Sequence, residues 1–283
     1  MTLDIARIER LPHVEAALNY LVPMDEKPYR YAYEPPPGVP SENTEHAPRQ
    51  VAIRDLRPVA AELSLDREGF ALIRQRSAVR DFYDEDELRN VLYPEVQRAI
   101  AEATGAVEVI VFDHTIRRRI PGAADRSAGT PRQPVARVHN DYTEISGPQR
   151  VRDLLPADEA EEWLGGRFAA INLWRPIRAP LLDRPLALCD ARSVAAGDFI
   201  ASDLVYRDRR GEIYNVTYNP AHRWFYAPAM QEDEALLIKC YDSATDGGRA
   251  RFAPHGSFDD PNMPSDAPPR ESIEIRTLVR YPD

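Results

Sequence analysis

The residues best placed by type and spacing to do chemistry are His139-Asn140-Asp141. They end an apparent strand that begins at Val135-Ala-Arg-Val138. Side chains two apart on a strand point to the same face, roughly 6.6–6.8 Å apart at Cα, so an imidazole and a carboxylate there can converge on one ion. Two histidines and one carboxylate fill three positions of an octahedron and leave three open, the facial arrangement of non-haem Fe(II) sites. The third donor must then come from a strand remote in sequence. His222 suits that role, because Ala221-His-Arg-Trp-Phe-Tyr226 reads as a strand start. The triplet alone is unspecific, and its bland reading is a histidine satisfied by a hydrogen bond at a strand end. Other chemical signatures are absent: no phosphate-cradling glycine loop, no Gly-x-Ser-x-Gly, no His-Glu-x-x-His and no Cys-x-x-Cys.

The elements that must position these groups are only partly periodic. Glu68–Ile73 reads as a strand, and Asp84-Glu-Asp-Glu87 opens an amphipathic helix carrying Leu88, Val91, Leu92, Val96 and Ile100. The four acids suit the positive end of the helix dipole better than a metal. Thr104-Gly105 stops that helix, and a strand follows over 106–112. From about residue 135 the pattern turns to short strands, at 135–142, 167–175, 185–190, 198–204, 212–219, 222–228, 235–242 and 272–281. One helix interrupts them, marked by Pro156, the acids Asp158 and Glu159, and the Gly165-Gly166 stop. The fold class this suggests is mainly β with flanking helices, a double-stranded barrel. Residues 1–60, with Tyr20, Tyr29, Tyr31 and Tyr33 among prolines, read as an N-terminal arm, and residues 61–283 as one globular unit.

Composition narrows the class. The chain of 283 residues carries a formal charge of −10, which argues against a general nucleic-acid binder. No apolar run approaches the ~20 residues of a bilayer span, and Met1-Thr-Leu-Asp-Ile-Ala-Arg lacks the apolar stretch of a signal peptide. Cys189 and Cys240 form no disulfide framework and no zinc spacing. A cytoplasmic protein with no membrane and no nucleic-acid partner is expected. The 26 prolines, about twice average usage, reflect loops joining many short strands.

Six segments occur in order: Phe112-Asp-His-Thr-Ile-Arg117, Val138-His-Asn-Asp-Tyr-Thr143, Ile171-Asn-Leu-Trp-Arg-Pro176, Asn219-Pro-Ala-His-Arg-Trp-Phe-Tyr226, Lys239-Cys-Tyr-Asp-Ser243 and Arg251-Phe-Ala-Pro-His-Gly-Ser-Phe258. Together they resemble the cephamycin 7α-hydroxylase small-subunit and asperaculane-type hydroxylase/desaturase group of Fe(II)/2-oxoglutarate-dependent oxygenases, over roughly residues 50–280. The resemblance implies a double-stranded β-helix (jelly-roll, cupin-like) fold, a homodimer, Fe(II) with 2-oxoglutarate and O2 as cosubstrates, and oxidation of a small natural product. It makes His139, Asp141 and His222 the iron ligands. The aspartate stands where related halogenases carry Ala or Gly, so no open halide position is expected.

Such enzymes usually place a basic residue soon after the distal histidine, for the far carboxylate of the cosubstrate. No Arg lies ten to fourteen residues beyond His222, which leaves Arg251, favoured for its bidentate fork, and Lys239. Fe(II) with one Asp and a dianionic oxoacid is net negative, so a buried cation should meet that carboxylate. Asn172 is expected to serve as an amide donor beside the cofactor, with Trp174, Tyr142 and His114 in or near the substrate pocket. Trp174 reads more readily as core. His255 is expected to organise structure or the substrate pocket rather than to ligate, and Arg117-Arg-Arg119 to form a solvated face or attract an acidic substrate. Two rivals remain: a non-catalytic partner of a second protein, and a cupin-like metalloenzyme that uses no oxoacid.

Overall fold

The computed structural model describes residues 3–123 and 132–282. Fourteen strands are found among them: β1 (His13–Leu21), β2 (Tyr29–Tyr31), β3 (His46–Asp55), β4 (Phe70–Arg74), β5 (Glu108–Arg118), β6 (His139–Asn140), β7 (Phe168–Pro176), β8 (Leu186–Cys189), β9 (Phe199–Val205), β10 (Arg210–Val216), β11 (Trp224–Tyr226), β12 (Glu234–Asp242), β13 (His255–Ser257) and β14 (Glu271–Arg280). A five-stranded sheet runs β4-β12-β7-β14-β5, and a nine-stranded sheet runs β1-β3-β11-β8-β13-β6-β10-β9-β2. The curled sheets make a jelly-roll, as the sequence leads one to expect.

Alternation along the five-stranded sheet assigns its two faces. Ala169, Ile171, Leu173, Leu237, Ile273 and Ile275 pack outward on Val96 and Ile100 of the helix Tyr93–Thr104. Phe168, Ala170, Trp174, Leu236 and Ile238 turn inward to meet Leu186, Leu188 and Phe225 of the other sheet. β7 and β12 are buried along their whole length, which is why they read as nearly continuous apolar runs. The inward face of β14 differs, for it carries Ser272, Glu274 and Arg276 opposite Pro176, Trp174 and Asn172 of β7. A barrel lined with charge at one end is equipped for a ligand rather than for packing.

The nine-stranded sheet rolls over until β1 meets the segment before β6. Val138 N–H donates to the Asn19 carbonyl at 2.8 Å, and bridges join Asn19 to Arg137 and Leu21 to Thr217. Val14, Ala16, Leu18 and Tyr20 of β1 thereby share a separate core with Val138, Cys189 and Trp224. The first 60 residues, expected as an arm, thus supply three strands of the sheet, driven by the alternation of buried residues along β1. The strand expected over 135–142 is reduced to His139–Asn140, because the residues before it bond to Asn19 and to Ser257 instead. A helix at Ser146–Leu154, which the sequence pattern does not announce, precedes the expected one at Ala157–Gly165. No helix of the described residues is long and apolar enough to cross a membrane.

Candidate metal centre

His139 and His255 are direct cross-strand partners on β6 and β13, and their ring centroids lie 4.5 Å apart. Each ring is oriented by its own chain. His139 Nδ1 lies 3.0 Å from the Arg137 carbonyl, and His255 Nδ1 lies 3.0 Å from the Ala253 carbonyl. Carbonyls only accept, so both Nδ1 atoms carry a proton, and Nε2 is the nitrogen each ring has left to offer a metal. Gly256 makes the approach of the strands possible: a Cβ there would lie 2.9 Å from the Arg137 oxygen that orients His139.

Asp141 follows β6 and presents Oδ1 at 3.6 Å from His139 Nε2. Asn140, between them, points the other way and donates to the carbonyls of Tyr142 at 2.8 Å and Cys240 at 2.7 Å, anchoring the turn to the opposite sheet. Donor atoms of His139, Asp141 and His255 all lie within 4.8 Å of one another. Burial, then the neighbouring His255 ring, push the His139 pKa well down and keep the imidazole neutral. Burial alone would raise the Asp141 pKa, yet Arg276 and the two histidines hold it well below the usual carboxylate range. Two imidazole nitrogens and one carboxylate oxygen converging in this way are the donor set that Fe(II) takes facially. The residues fit the metal.

Asp141 Oδ2 is engaged elsewhere: Asn172 Nδ2 donates to it at 2.8 Å, and Arg276 Nε approaches it at 3.5 Å. A cleft of about 600 Å³ opens beside His139 and Asp141; its lining mixes Phe112, Tyr142, Ile145, Leu204, Tyr206 and Ile213 with charged side chains such as Asp113, Arg137 and Arg276. A register shift in β5 turns both Phe112 and Asp113 toward this cleft.

The third histidine expected from the sequence is not here. His222 Nε2 lies 3.0 Å from Asp198 Oδ2, and its Nδ1 lies 3.1 Å from the Tyr20 hydroxyl. It stacks on Tyr20 and lies edge-on to Trp224, beside the separate core under β1. Both nitrogens are spent, and the structure brings His255 to His139 and Asp141 in its place.

The expected cosubstrate cations are likewise occupied. Lys239 is fully buried between Asp66 at 2.6 Å and Asp242 at 2.7 Å, which explains its position in a core strand. Arg251 forks onto Glu144 and stacks near Tyr241 and Phe252. His114 faces outward, its Nδ1 2.7 Å from the Tyr93 hydroxyl. Trp174 is buried in the inner core, with the Arg270 guanidinium 4.8 Å above its ring, and Tyr142 borders the cleft.

Arg270 is the residue that sequence reasoning passed over. It sits at the start of β14, donates to Ser272 Oγ at 3.0 Å and to the Arg184 carbonyl at 2.7 Å. Burial, and next the positive Arg117 nearby, push its pKa down to about 9. Among the described residues no carboxylate lies within ion-pairing distance of its guanidinium.

Three comparisons agree with this geometry. Residues 18–280 match the domain described as "Oxidoreductase/YMDC permease-like domain". The hydroxylase/desaturase efuI of Hormonema carpetanum is 35% identical over 253 residues, covering 82% of this chain and 84% of that protein. The alpha-ketoglutarate-dependent dioxygenase phiK of a fungal species is 32% identical, with 82% of this chain and 84% of that protein covered. The solved iron and alpha-ketoglutarate-dependent endoperoxidase NvfI superposes with a TM-score of 0.85 at 27% identity, over 96% of this chain and 99% of that one. The chain belongs to this oxidoreductase family, alongside Fe(II)/2-oxoglutarate-dependent hydroxylase/desaturases and dioxygenases.

Proposed function

We propose that His139 Nε2, Asp141 Oδ1 and His255 Nε2 hold Fe(II), and that the protein uses 2-oxoglutarate and O2 to oxidise a C–H bond of a small natural product seated in the cleft. The outcome is hydroxylation, desaturation or oxidative cyclisation, set by which C–H bond the cleft presents. The observation that carries the reading is the convergence of ligand atoms of His139, Asp141 and His255 within 4.8 Å of one another, with the first two lining that cleft. Fe(II) when bound supplies O2 activation, coupled to decarboxylation of 2-oxoglutarate to succinate.

The protein's own part is orientation and charge. Backbone carbonyls fix both ring tautomers, so the lone pairs are set before metal arrives. Arg270, with Ser272 beside it, takes the far carboxylate of 2-oxoglutarate. A buried guanidinium without an anionic partner supports that role, since a carboxylate would relieve the burial that depresses its pKa. Phe112, Tyr142 and Ile145 give the substrate an apolar wall and thin the water over the metal. The finer kinship with the cephamycin 7α-hydroxylase small-subunit group rests on the order of the six sequence segments and belongs to the same proposal.

The test is anaerobic addition of Fe(II) and then 2-oxoglutarate, followed by exposure to air. A weak visible charge-transfer band, and then succinate formed in step with 2-oxoglutarate consumed, is expected. Turnover that needs no oxoacid would overturn the reading.

A further inference from the structure

Asp141 is held by more than its backbone. Its Oδ2 receives Asn172 Nδ2 at 2.8 Å and faces Arg276 Nε at 3.5 Å. Both donors are gripped in turn by Glu274, whose Oε1 accepts from Asn172 at 2.9 Å and whose Oε2 accepts from Arg276 at 2.8 Å. Asn172 and Arg276 are cross-strand partners on β7 and β14, and Glu274 precedes Arg276 by two residues on the same inward face. Arg276 is steadied on its remaining side by Thr115 at 2.8 Å and Asp113 at 3.2 Å. The four side chains close a ring: Asp141 to Asn172 to Glu274 to Arg276 and back. The amide orientation of Asn172 follows from its two carboxylate neighbours, which only a nitrogen can satisfy. Its oxygen is left buried without a partner, a cost accepted at this one position.

The consequence is asymmetric. One carboxylate oxygen carries two donors, and the other faces the imidazoles alone. A carboxylate can otherwise offer a metal one oxygen or two. We infer that Asn172 and Arg276 are positioning residues which confine Asp141 to a single free oxygen, with Glu274 as the brace that fixes both. A carboxylate released from this ring could turn its second oxygen toward the metal and occupy a position that the cosubstrate needs. The inference rests on the metal reading of His139, Asp141 and His255.

The experiment is Mn(II) titration calorimetry, together with the visible spectrum of the Co(II)-loaded protein, on the full chain. Wild type should bind Mn(II) and His139→Ala should not; a wild type that binds none overturns the metal reading itself, and the ring with it. Given binding, Asn172→Ala should weaken Mn(II) affinity roughly ten- to a hundredfold, the usual reach of groups that orient a ligand. The intensity of its Co(II) band should change as the carboxylate is freed. Arg276→Lys keeps a cation against Glu274 but loses the fork, and should fall between wild type and Asn172→Ala. Should either variant fail to fold, the nearly isosteric Glu274→Gln carries the same test. Folded variants that bind Mn(II) within about twofold of wild type, with an unaltered Co(II) band, would show the ring to be structural only and overturn the inference.

Discussion

Two buried histidines, His255 on β13 and His222 in the loop that enters β11, look alike in the sequence and have opposite fates in the fold. His255 gives one nitrogen to a backbone carbonyl and keeps the other directed at His139 and Asp141. His222 spends one nitrogen on Tyr20 and the other on Asp198. Both are buried, so burial does not separate them. What separates them is the unspent lone pair, and the face of the sheet on which it lies. One face looks into the charged end of the barrel; the other looks into an apolar core closed by β1.

The largest expected contrast follows from that difference. His255→Ala should weaken metal binding by more than about a hundredfold and abolish succinate formation, beyond the effect of losing a group that merely orients a ligand. His222→Asn should leave Mn(II) affinity unchanged. Calorimetry on the two variants reads this directly, and the reverse result would exchange the roles of the two histidines.

Next in size, Arg270→Met should raise the KM for 2-oxoglutarate about ten- to a hundredfold, as expected for one charged hydrogen-bonded partner worth about 1.5–3 kcal/mol. Arg251→Met, which breaks the pair with Glu144 and the bond to the Asp242 carbonyl, should not move that KM. Steady-state kinetics with varied 2-oxoglutarate separates them.

Smaller again, His222→Asn should lower folding stability by about 1–3 kcal/mol, since Tyr20 and Asp198 each lose one of their buried partners. Thermal or denaturant unfolding checks this. The smallest effect is in pH. Burial lowers the His222 pKa against the partial pull of Asp198, so the folded ring resists the proton that the unfolded chain accepts near pH 6.5. Its stabilising contribution is therefore present above that pH and is lost as pH falls below it. The metal-free protein should melt progressively lower from pH 7 to pH 5.5, and His222→Gln should flatten that slope.

How much of this was legible beforehand divides along the same line. Local signals were readable: the His-x-Asp spacing, the helix from Asp84 ended by Gly105, and the apolar runs of β7 and β12. Non-local choices were not. Selecting among remote histidines depends on which face each strand presents, and β13 is three residues long, too short for any period to show. Ala221–Tyr226 carried the more strand-like pattern, so His222 was the better guess from the residues alone. The error propagated. Counted from His222, Arg270 lies far outside the usual window for an oxoacid-binding cation; counted from His255, it lies just past it. Lys239 and Arg251 are the cations left when no Arg follows His222 at the usual spacing, but Asp66 and Glu144, which help to hold them, are distant in sequence and invisible to spacing. The N-terminal strands were hidden for a similar reason, since β1 and β3 earn their burial only against Val138 and Trp224.

The most direct trial of the account is an anomalous-difference map from crystals soaked in Mn(II). A single strong peak within bonding distance of His139 Nε2, Asp141 Oδ1 and His255 Nε2 is the predicted result. A peak beside His222 and Asp198, with density between His139 and His255 left flat, would contradict it.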